Sequence, residues 1–576
     1  MKNLIKYLKP YRLGIVLICL LMLAQSFAEL YLPTLMSAIV NDGIVLSAQT
    51  GISRTDFVLK TGAQMLIFAL FAGIFSIIVA YISPRIAAGA ARDLRRDLFV
   101  KAENFSQAEF DKFSSASLIT RCTNDVMQVQ NLANIFPRML LYAPILAVGG
   151  IIMAVGRAPN MNWILGLAVT VLFGIVVLLV SIVMPKFKII QDKTDKLNRV
   201  SREILHGLMV VRAFGTQNHE RSRFDEANAD LRDLGLFVAR AMAFVNPAIT
   251  LVIGFTQISI IWFGGLQVAN GLDIGNMMAF FQYSMQVLFA FMMISMVLVM
   301  VPRAQVSAAR ITEVLITEPT VNDIDSPENF CEHKKGEVIF ENVSFAYPNA
   351  EANALEKINF TATSGKTTAI IGATGAGKST IAQLLLRFYD CEGKIFVNGT
   401  DITKVRRSDL REKIGYVPQK GQLFSGTIES NIKYGNENIS DEEIKKIAEV
   451  SQATDFISEK ENGFEAEISQ GGGNVSGGQR QRISIARALA KNPEIIVFDD
   501  SFSALDFETD AKLRRALKEF VADATVIVIA QRVGTIINAE QILVLEEGKI
   551  VGRGTHEDLL KNCAEYAEIA SSQGVL

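Results

Sequence analysis

Cysteine, histidine and tryptophan are scarce in this chain of 576 residues, with five, four and two respectively. Cys19, Cys122, Cys331, Cys391 and Cys563 show no paired spacing, which excludes a disulfide framework. His206, His219, His333 and His556 lack the spacing of a metal site and read as surface residues. Charge of one sign is missing too: 57 lysines and arginines face 59 aspartates and glutamates, so no basic surplus is present to draw nucleic acid. The first apolar run is too long for a cleavable signal peptide and has no small-residue cleavage site, so it is expected to stay as a membrane span.

Apolar residues are abundant, and they concentrate before a change of composition near residue 310. Segments 14–40, 58–83, 136–156, 162–184, 243–268 and 274–301 are near or above the roughly 20 residues a helix needs to cross a bilayer. Lys2, Lys6, Lys9 and Arg12 precede the first span. Arg85, Arg92, Arg95, Arg96, Lys101, Lys112 and Arg121 fall between the second and third, and Lys186, Lys188, Lys193, Lys196, Arg199, Arg202 and Arg212 between the fourth and fifth. The loops 41–57, 157–161 and 269–273 carry little positive charge, so both termini are expected in the cytoplasm. The two basic regions are amphipathic and are expected to continue the spans as helices into the cytosol.

Within the spans, Glu29 is an ionisable side chain where charge is costly. It is expected either to bind a cationic substrate or to pair with a polar neighbour. Gln257, Gln282 and Gln286 are further polar candidates, as cavity contacts or helix–helix hydrogen bonds. The sixth span interleaves Met277, Met278, Met285, Met292, Met293, Met296 and Met300 with Phe280, Phe281, Phe289 and Phe291. Such a surface adapts to varied hydrophobic ligands, or simply packs helices.

Beyond a polar, turn-rich stretch containing Pro319, Asp323, Asp325, Pro327 and Glu328, the pattern becomes that of alternating strands and helices. Gly372-Ala373-Thr374-Gly375-Ala376-Gly377-Lys378-Ser379 is a complete G-x4-G-K-[ST] loop, set between a strand pattern at 368–371 and a helix pattern that opens at Thr380 and ends at Phe388. Its backbone N–H groups and helix N-terminus suit phosphates, Lys378 reaches the β/γ-phosphates of ATP, and the Ser379 hydroxyl can ligate Mg²⁺. Downstream, the apolar run Glu494 to Asp499 ends in a carboxylate that would hold Mg²⁺ through water.

Between these two lies Asn474-Val475-Ser476-Gly477-Gly478-Gln479-Arg480-Gln481-Arg482, which resembles the signature of the ABC (ATP-binding cassette) family. Further matches follow in that family's order: Tyr347 for stacking adenine, Gln419 within Tyr416-Val417-Pro418-Gln419, and the turn Ser503-Ala504-Leu505-Asp506. Phe113 to Arg121, followed by Thr123-Asn124-Asp125-Val126, looks like the first coupling helix of ABC exporters, and Glu203 to Phe214 like the second. Nearly the whole chain resembles a half-transporter of the type IV ABC exporter class. The resemblance implies a multi-domain chain: an all-α six-helix transmembrane domain over 1–312, with long cytosolic helical extensions and coupling loops at about 107–125 and 200–218; a linker over 313–337; and an α/β P-loop nucleotide-binding domain over 338–572. It also implies a dimer in which each ATP joins one chain's Gly372–Thr380 loop to the other chain's Ser476, Gly477, Gly478 and Gln479, with Asp506 at the same interface. Ser379, Gln419 and Asp499 would surround the Mg²⁺.

Two positions depart from the family pattern. The Glu that usually follows the Mg²⁺-binding Asp is Asp500, one methylene short of the attacking water, where a misplacement near 1 Å can cost about 10²-fold in rate. The usual His is Gln531, in Val528-Ile529-Ala530-Gln531-Arg532, and carries no positive charge. Both changes together resemble the degenerate-site subunit of bacterial heterodimeric multidrug exporters. The expected function is ATP-driven export of hydrophobic or amphipathic small molecules, drug-like or lipid-like, across the plasma membrane by alternating access. The expected partners are membrane lipid and a second half-transporter with Glu and His at the two positions. An ATP-gated regulator or channel, or a peptide or lipid exporter with slow hydrolysis, is the alternative. An importer is disfavoured, because family importers usually keep the two functions on separate chains.

Overall fold

Inside a bilayer no water can bond the backbone, so each apolar segment must satisfy its own N–H and C=O groups as a helix. The computed structural model describes residues 2–348 and 350–575, without the side chains of residues 2, 3, 138, 139, 180, 187, 188, 295–299 and 302, so Lys2, Lys188 and Met296 of the sequence reading lie outside the described side chains. Among the described residues six helical runs are long and apolar enough to span: Leu4–Thr50, Thr55–Glu103, Ser115–Arg157, Pro159–His206, Gln217–Ala269 and Ile274–Ile294. The third run is longer than its apolar pattern, because the helix continues through wide π turns at Arg121–Asp125 and Arg138–Tyr142. Runs four and five extend well past their apolar stretches, where Lys193 pairs with Asp230 at 2.5 Å and Arg223 with Glu203 at 2.5 Å.

The chain divides into two units, Met1–Ala102 with Ala116–Thr317, and Glu103–Ser115 with Glu318–Leu576. In the first, spans 1, 3 and 6 share a core around the fully buried Phe280 and Tyr283. The Tyr283 hydroxyl donates to the Leu30 carbonyl at 2.9 Å and lies 2.7 Å from the Thr34 hydroxyl. Near the end of span 1 and the start of span 6, Asn41 Oδ1 accepts from the Gly275 amide at 2.7 Å. Asn276 Oδ1 takes bonds from Ser37 and from Arg157, both at 3.0 Å. Gly275 allows this approach, since a Cβ there would stand 2.4 Å from the Ser37 carbonyl oxygen. The stretch Leu208–Phe214, between Gly207 and the left-handed Gly215, exposes Met209 and Phe214, each at 78%.

Among the described residues the second unit holds two larger sheets and a short strand pair, Gly426–Thr427 with Glu467–Ile468. One is antiparallel, in the order Leu355–Ala362, Val338–Phe345, Glu392–Val397, Thr400–Asp401. The other runs Lys549–Gly554, Gln541–Glu546, Thr367–Gly372, Thr525–Ile529, Ile495–Asp499, Ile414–Val417, parallel except for its first pair. The helix after the phosphate loop spans Lys378–Leu385 and stops short of Phe388. Arg387 turns left-handed there (φ 51°), and its buried guanidinium bonds the carbonyls of Ile402, Val405 and Asn322.

The segment that folds with the cassette is Glu103–Ser115, whose helix Gln107–Phe113 lies N-terminal to most of the 113–121 stretch. Ser114 breaks the chain with φ 55°, and Ser115–Thr120 begins the helical run of span 3 instead. Asp111 accepts from the Tyr389 hydroxyl at 2.8 Å, Glu109 from the Thr320 amide at 3.3 Å, and Ala108 packs on the core.

The close approach at Gly275 yields a test of the span 1–span 6 contact. Gly275→Ala overpacks it, with an expected cost of about 1–3 kcal/mol and a lower thermal midpoint of the purified protein. Gly73→Ala, with nothing within 4 Å of its Cβ, lowers nothing.

Candidate functional site

Parallel strands point their C-terminal ends the same way, so the residues that follow them collect at one edge. Here four such ends carry the candidate residues of this chain's own phosphate and metal site, while Tyr347 lies elsewhere. After Thr367–Gly372 comes the phosphate loop, where Gly375 and Gly377 have φ of 87° and 96°. A Cβ on Gly377 would stand 2.6 Å from the Ala354 carbonyl oxygen, so loop and neighbouring strand close tightly there. Lys378 Nζ folds over this loop and donates to the Gly372 and Ala373 carbonyls at 2.9 and 2.8 Å. Thr374 and Ala376 complete the turn, the Ala376 amide donating to Ala373 O. Burial pushes the Lys378 ammonium below its ordinary range, against the pull of Asp500 and Asp499.

Asp499, at the end of Ile495–Asp499, accepts from Ser379 Oγ at 2.7 Å and from the Tyr416 hydroxyl at 3.2 Å. Burial pushes its carboxyl up, with those two hydrogen bonds opposing. A buried carboxylate beside a serine hydroxyl, both hard oxygen ligands, is a donor set that fits Mg²⁺. Tyr416 is the contact that motif reading missed, although it sits three residues before Gln419.

Asp500 leaves the strand in the left-handed region (φ 47°), which Asp tolerates better than most residues. One oxygen, Oδ2, accepts two hydrogen bonds, from Gln419 Nε2 at 3.1 Å and from Gln531 Nε2 at 2.9 Å. Burial pushes this carboxyl up, the Gln419 bond works against it and the Asp499 charge adds to it. Gln481 holds the loop that carries Gln419, donating to the Pro418 carbonyl at 3.0 Å and accepting from the Gly421 amide at 2.9 Å.

Tyr347 lies over the helix of the phosphate loop, its hydroxyl 2.9 Å from Thr380 Oγ1 and donating to Gln383 Oε1 at 3.0 Å. It meets Phe345 and Tyr389 edge-on, at 5.0 and 5.5 Å.

Ser476 caps the helix Gly477–Ala490 through a reciprocal pair: its Oγ accepts from the Gln479 amide at 3.2 Å, and Gln479 Oε1 accepts from the Ser476 amide at 3.0 Å. Gly478 faces the 503–506 turn, 3.4 Å from Ala504 O at the Cβ position, and Asp506 caps the next helix through the Thr509 amide. Among the described residues no hydrogen bond joins 476–479 to the phosphate loop. The candidate residues therefore fall into two sets, one at the sheet edge and one at the start of the helix Gly477–Ala490.

The membrane candidates sort differently. Met277 lies against Gly264, Phe280 is fully buried and Met285 Sδ takes the Gln257 amide at 3.5 Å, so these pack helices. Met278 and Phe289 are exposed.

The capping pair generates a prediction. Ser476→Ala removes it and is expected to cost about 1 kcal/mol of stability, read as a lower thermal midpoint; Ser476→Thr, which can still cap, restores most of it.

The chain matches the ABC transporter transmembrane region over residues 15–291 and the ABC transporter family over residues 355–503. It is 39% identical over 575 residues to an uncharacterized ABC transporter ATP-binding protein of Mycobacterium tuberculosis, covering 99% of this chain and 97% of that one. It is 30% identical over 575 residues to the ATP-dependent lipid A-core flippase of Aliivibrio fischeri, covering 99% and 97%. Among solved structures, a bacterial Atm1-family ABC exporter with ATP bound superposes with a TM-score of 0.76 at 26% identity, over 98% of this chain and 99% of that one. With a six-helix membrane unit fused to one cassette, the chain belongs to the ABC transporter superfamily, as a half-transporter of the type IV exporter arrangement.

Proposed function

We propose that this chain is one half of a heterodimeric ATP-driven exporter: its own site binds ATP and turns it over slowly, while its Ser476-Gly477-Gly478-Gln479 completes the partner's site. The observation that carries this reading is the pair of amides on Asp500 Oδ2. A general base needs a free lone pair within hydrogen-bond reach of water. Here the carboxylate is one methylene short, and one of its oxygens already accepts twice. Neither Gln419 nor Gln531 can bring a positive charge to a γ-phosphate, so the stabilisation of transferring phosphate by a cation falls to Lys378 and the metal.

The binding half of the site is complete by its chemistry. Gly372 to Thr380 supplies backbone donors and a helix N-terminus, Lys378 a charge, and Tyr347 a ring for adenine. Mg²⁺ would be held by Ser379 and Asp499, with Gln419 beside it, and when bound it neutralises charge on the phosphate oxygens.

Dimerisation is supported from two sides. Among the described residues Ser476 and Gln479 bond each other at their own helix start and make no hydrogen bond to this chain's phosphate loop. The exposed apolar tip Leu208–Phe214 is a surface suited to covering by a second cassette. In the cycle we propose, ATP closes the paired cassettes, the segments around Gln107–Phe113 and Leu208–Phe214 carry that motion to the spans, and hydrolysis at the partner's site resets them. The slow site holds nucleotide longer and keeps the cassettes near each other. A hydrophobic or amphipathic substrate accords with the exposed Met278 and Phe289, and with a relative named for flipping lipid A-core. The bacterial relatives accord with a plasma membrane location, and positive charge between spans 2 and 3 and between spans 4 and 5 supports termini and cassette in the cytoplasm.

Three measurements test this. The intact mass of the complex that copurifies with the chain is expected to contain a second, different subunit of similar size, with Glu and His at the two positions; twice this chain's mass overturns the heterodimer. Asp500→Glu with Gln531→His is expected to raise ATP hydrolysis at least about tenfold at this site. Ser476→Ala is expected to lower hydrolysis by the complex more than Asp500→Asn does, and equal or reversed effects count against the assignment.

A further inference from the structure

Asp499, only 4% exposed at the end of Ile495–Asp499, carries a hydroxyl on each carboxylate oxygen. Ser379 Oγ donates to Oδ1 at 2.7 Å, and the Tyr416 hydroxyl donates to Oδ2 at 3.2 Å. The first donor belongs to the phosphate loop. The second comes from the neighbouring strand Ile414–Val417, where Tyr416 pairs with Val497, two residues before Asp499. Side chains alternate along a strand, so residues 416, 497 and 499 project from one face of the sheet. Only a side chain as long as tyrosine carries a hydroxyl past residue 497 to the carboxylate. Its ring packs against the core of the cassette.

Both donors are neutral, so they leave the charge that attracts a cation in place. What they change is the number of free lone pairs, about four in a bare carboxylate, and the freedom of the group to turn. Ca²⁺ takes many oxygen ligands and often grips a carboxylate by both oxygens at once, whereas Mg²⁺ keeps several waters and needs fewer protein oxygens. A carboxylate held at both oxygens suits the second ion better than the first.

We propose that Tyr416 is a positioning residue for the metal of the ATP site: by holding Asp499 Oδ2 it keeps the carboxylate in a pose that favours Mg²⁺ over Ca²⁺. This inference rests on the reading of the site as one that binds ATP with Mg²⁺, and it adds the residue that sets which cation is taken.

The test uses the copurified complex and photolabelling with 8-azido-ATP in the cold, which marks the chain whose own site holds the adenine. Label on this chain is titrated with Mg²⁺ and separately with Ca²⁺, and the ratio of the two half-saturating concentrations, Ca²⁺ over Mg²⁺, is read. Tyr416→Phe keeps the ring and deletes the donor. It is expected to lower that ratio at least about fivefold, the scale of one hydrogen bond to a charged group. Labelling in EDTA is expected to stay unchanged. Fluorotyrosine at position 416, which keeps a hydroxyl, is expected to retain the wild-type ratio. A ratio that Tyr416→Phe leaves unchanged or raises overturns the assignment, and so does an equal fall with fluorotyrosine. Loss of the metal-free labelling in Tyr416→Phe also overturns it, because the hydroxyl then supports the whole loop and not the metal. The wild type separates the two readings. No label on this chain, or label independent of metal, overturns both; metal-dependent label with a ratio insensitive to residue 416 leaves the ATP site standing and removes Tyr416 alone.

Discussion

The common direction of parallel strands is the constraint on which the cassette's chemistry depends. Thr367–Gly372, Thr525–Ile529, Ile495–Asp499 and Ile414–Val417 run side by side in one sheet, so their ends share an edge. Residues 120, 81 and 31 positions apart in the chain meet there, as Ser379 donates to Asp499 and both Gln419 and Gln531 donate to Asp500. The hydrogen bonds of the ladder fix strand register, and register fixes how far each side chain reaches. A site built this way holds its groups firmly but cannot compensate for a shortened side chain by local drift.

That rigidity gives the substitution at Asp500 its meaning. The strand delivers the backbone of residue 500 to one place, held by its amide bond to the Ile529 carbonyl at 2.8 Å. Two neutral amides bond one oxygen of this short side chain, and the slow turnover proposed for the site would follow from its shorter reach on a fixed backbone. Phosphate recognition would use the backbone of the loop and the end of a helix, atoms that a change of side chain at residue 500 does not alter. Binding and turnover are thus separable at this edge, through different atoms.

In the membrane unit the governing cost is that of leaving polar groups unbonded in an apolar medium. Spans 1, 3 and 6 meet this by exchanging bonds: Tyr283 with Leu30 and Thr34, Ser37 and Arg157 with Asn276, Asn41 with Gly275. The exchange is incomplete at Gln286, whose Oε1 is buried with no hydrogen-bond partner among the described residues. The same accounting explains why most of the Met and Phe of span 6 that are described serve packing, since Phe280 and Met277 sit against helices.

Much of this was legible from the order of residues. Six apolar runs followed by a phosphate loop, a signature and a strand ending in Asp499 define a membrane unit fused to a cassette, because hydrophobic length and short motifs are local properties. The helical run of span 3 outlasts its apolar segment, since its π turns carry the helix through polar residues such as Arg121 and Asn124. The segment Glu103–Ser115 could not be assigned to the cassette unit by pattern, since Tyr389 and Thr320, its partners, lie more than 200 residues away. Nor could spacing reveal that Gln419 and Gln531 share one oxygen, or that Glu29 faces Tyr142 and Gln286. By itself the sequence determined which groups exist and which backbone stretches cradle phosphate or cross a bilayer. Only the tertiary structure decided which of those groups spend their hydrogen bonds on one another and which keep one to offer, because that balance depends on contacts between segments far apart in the chain.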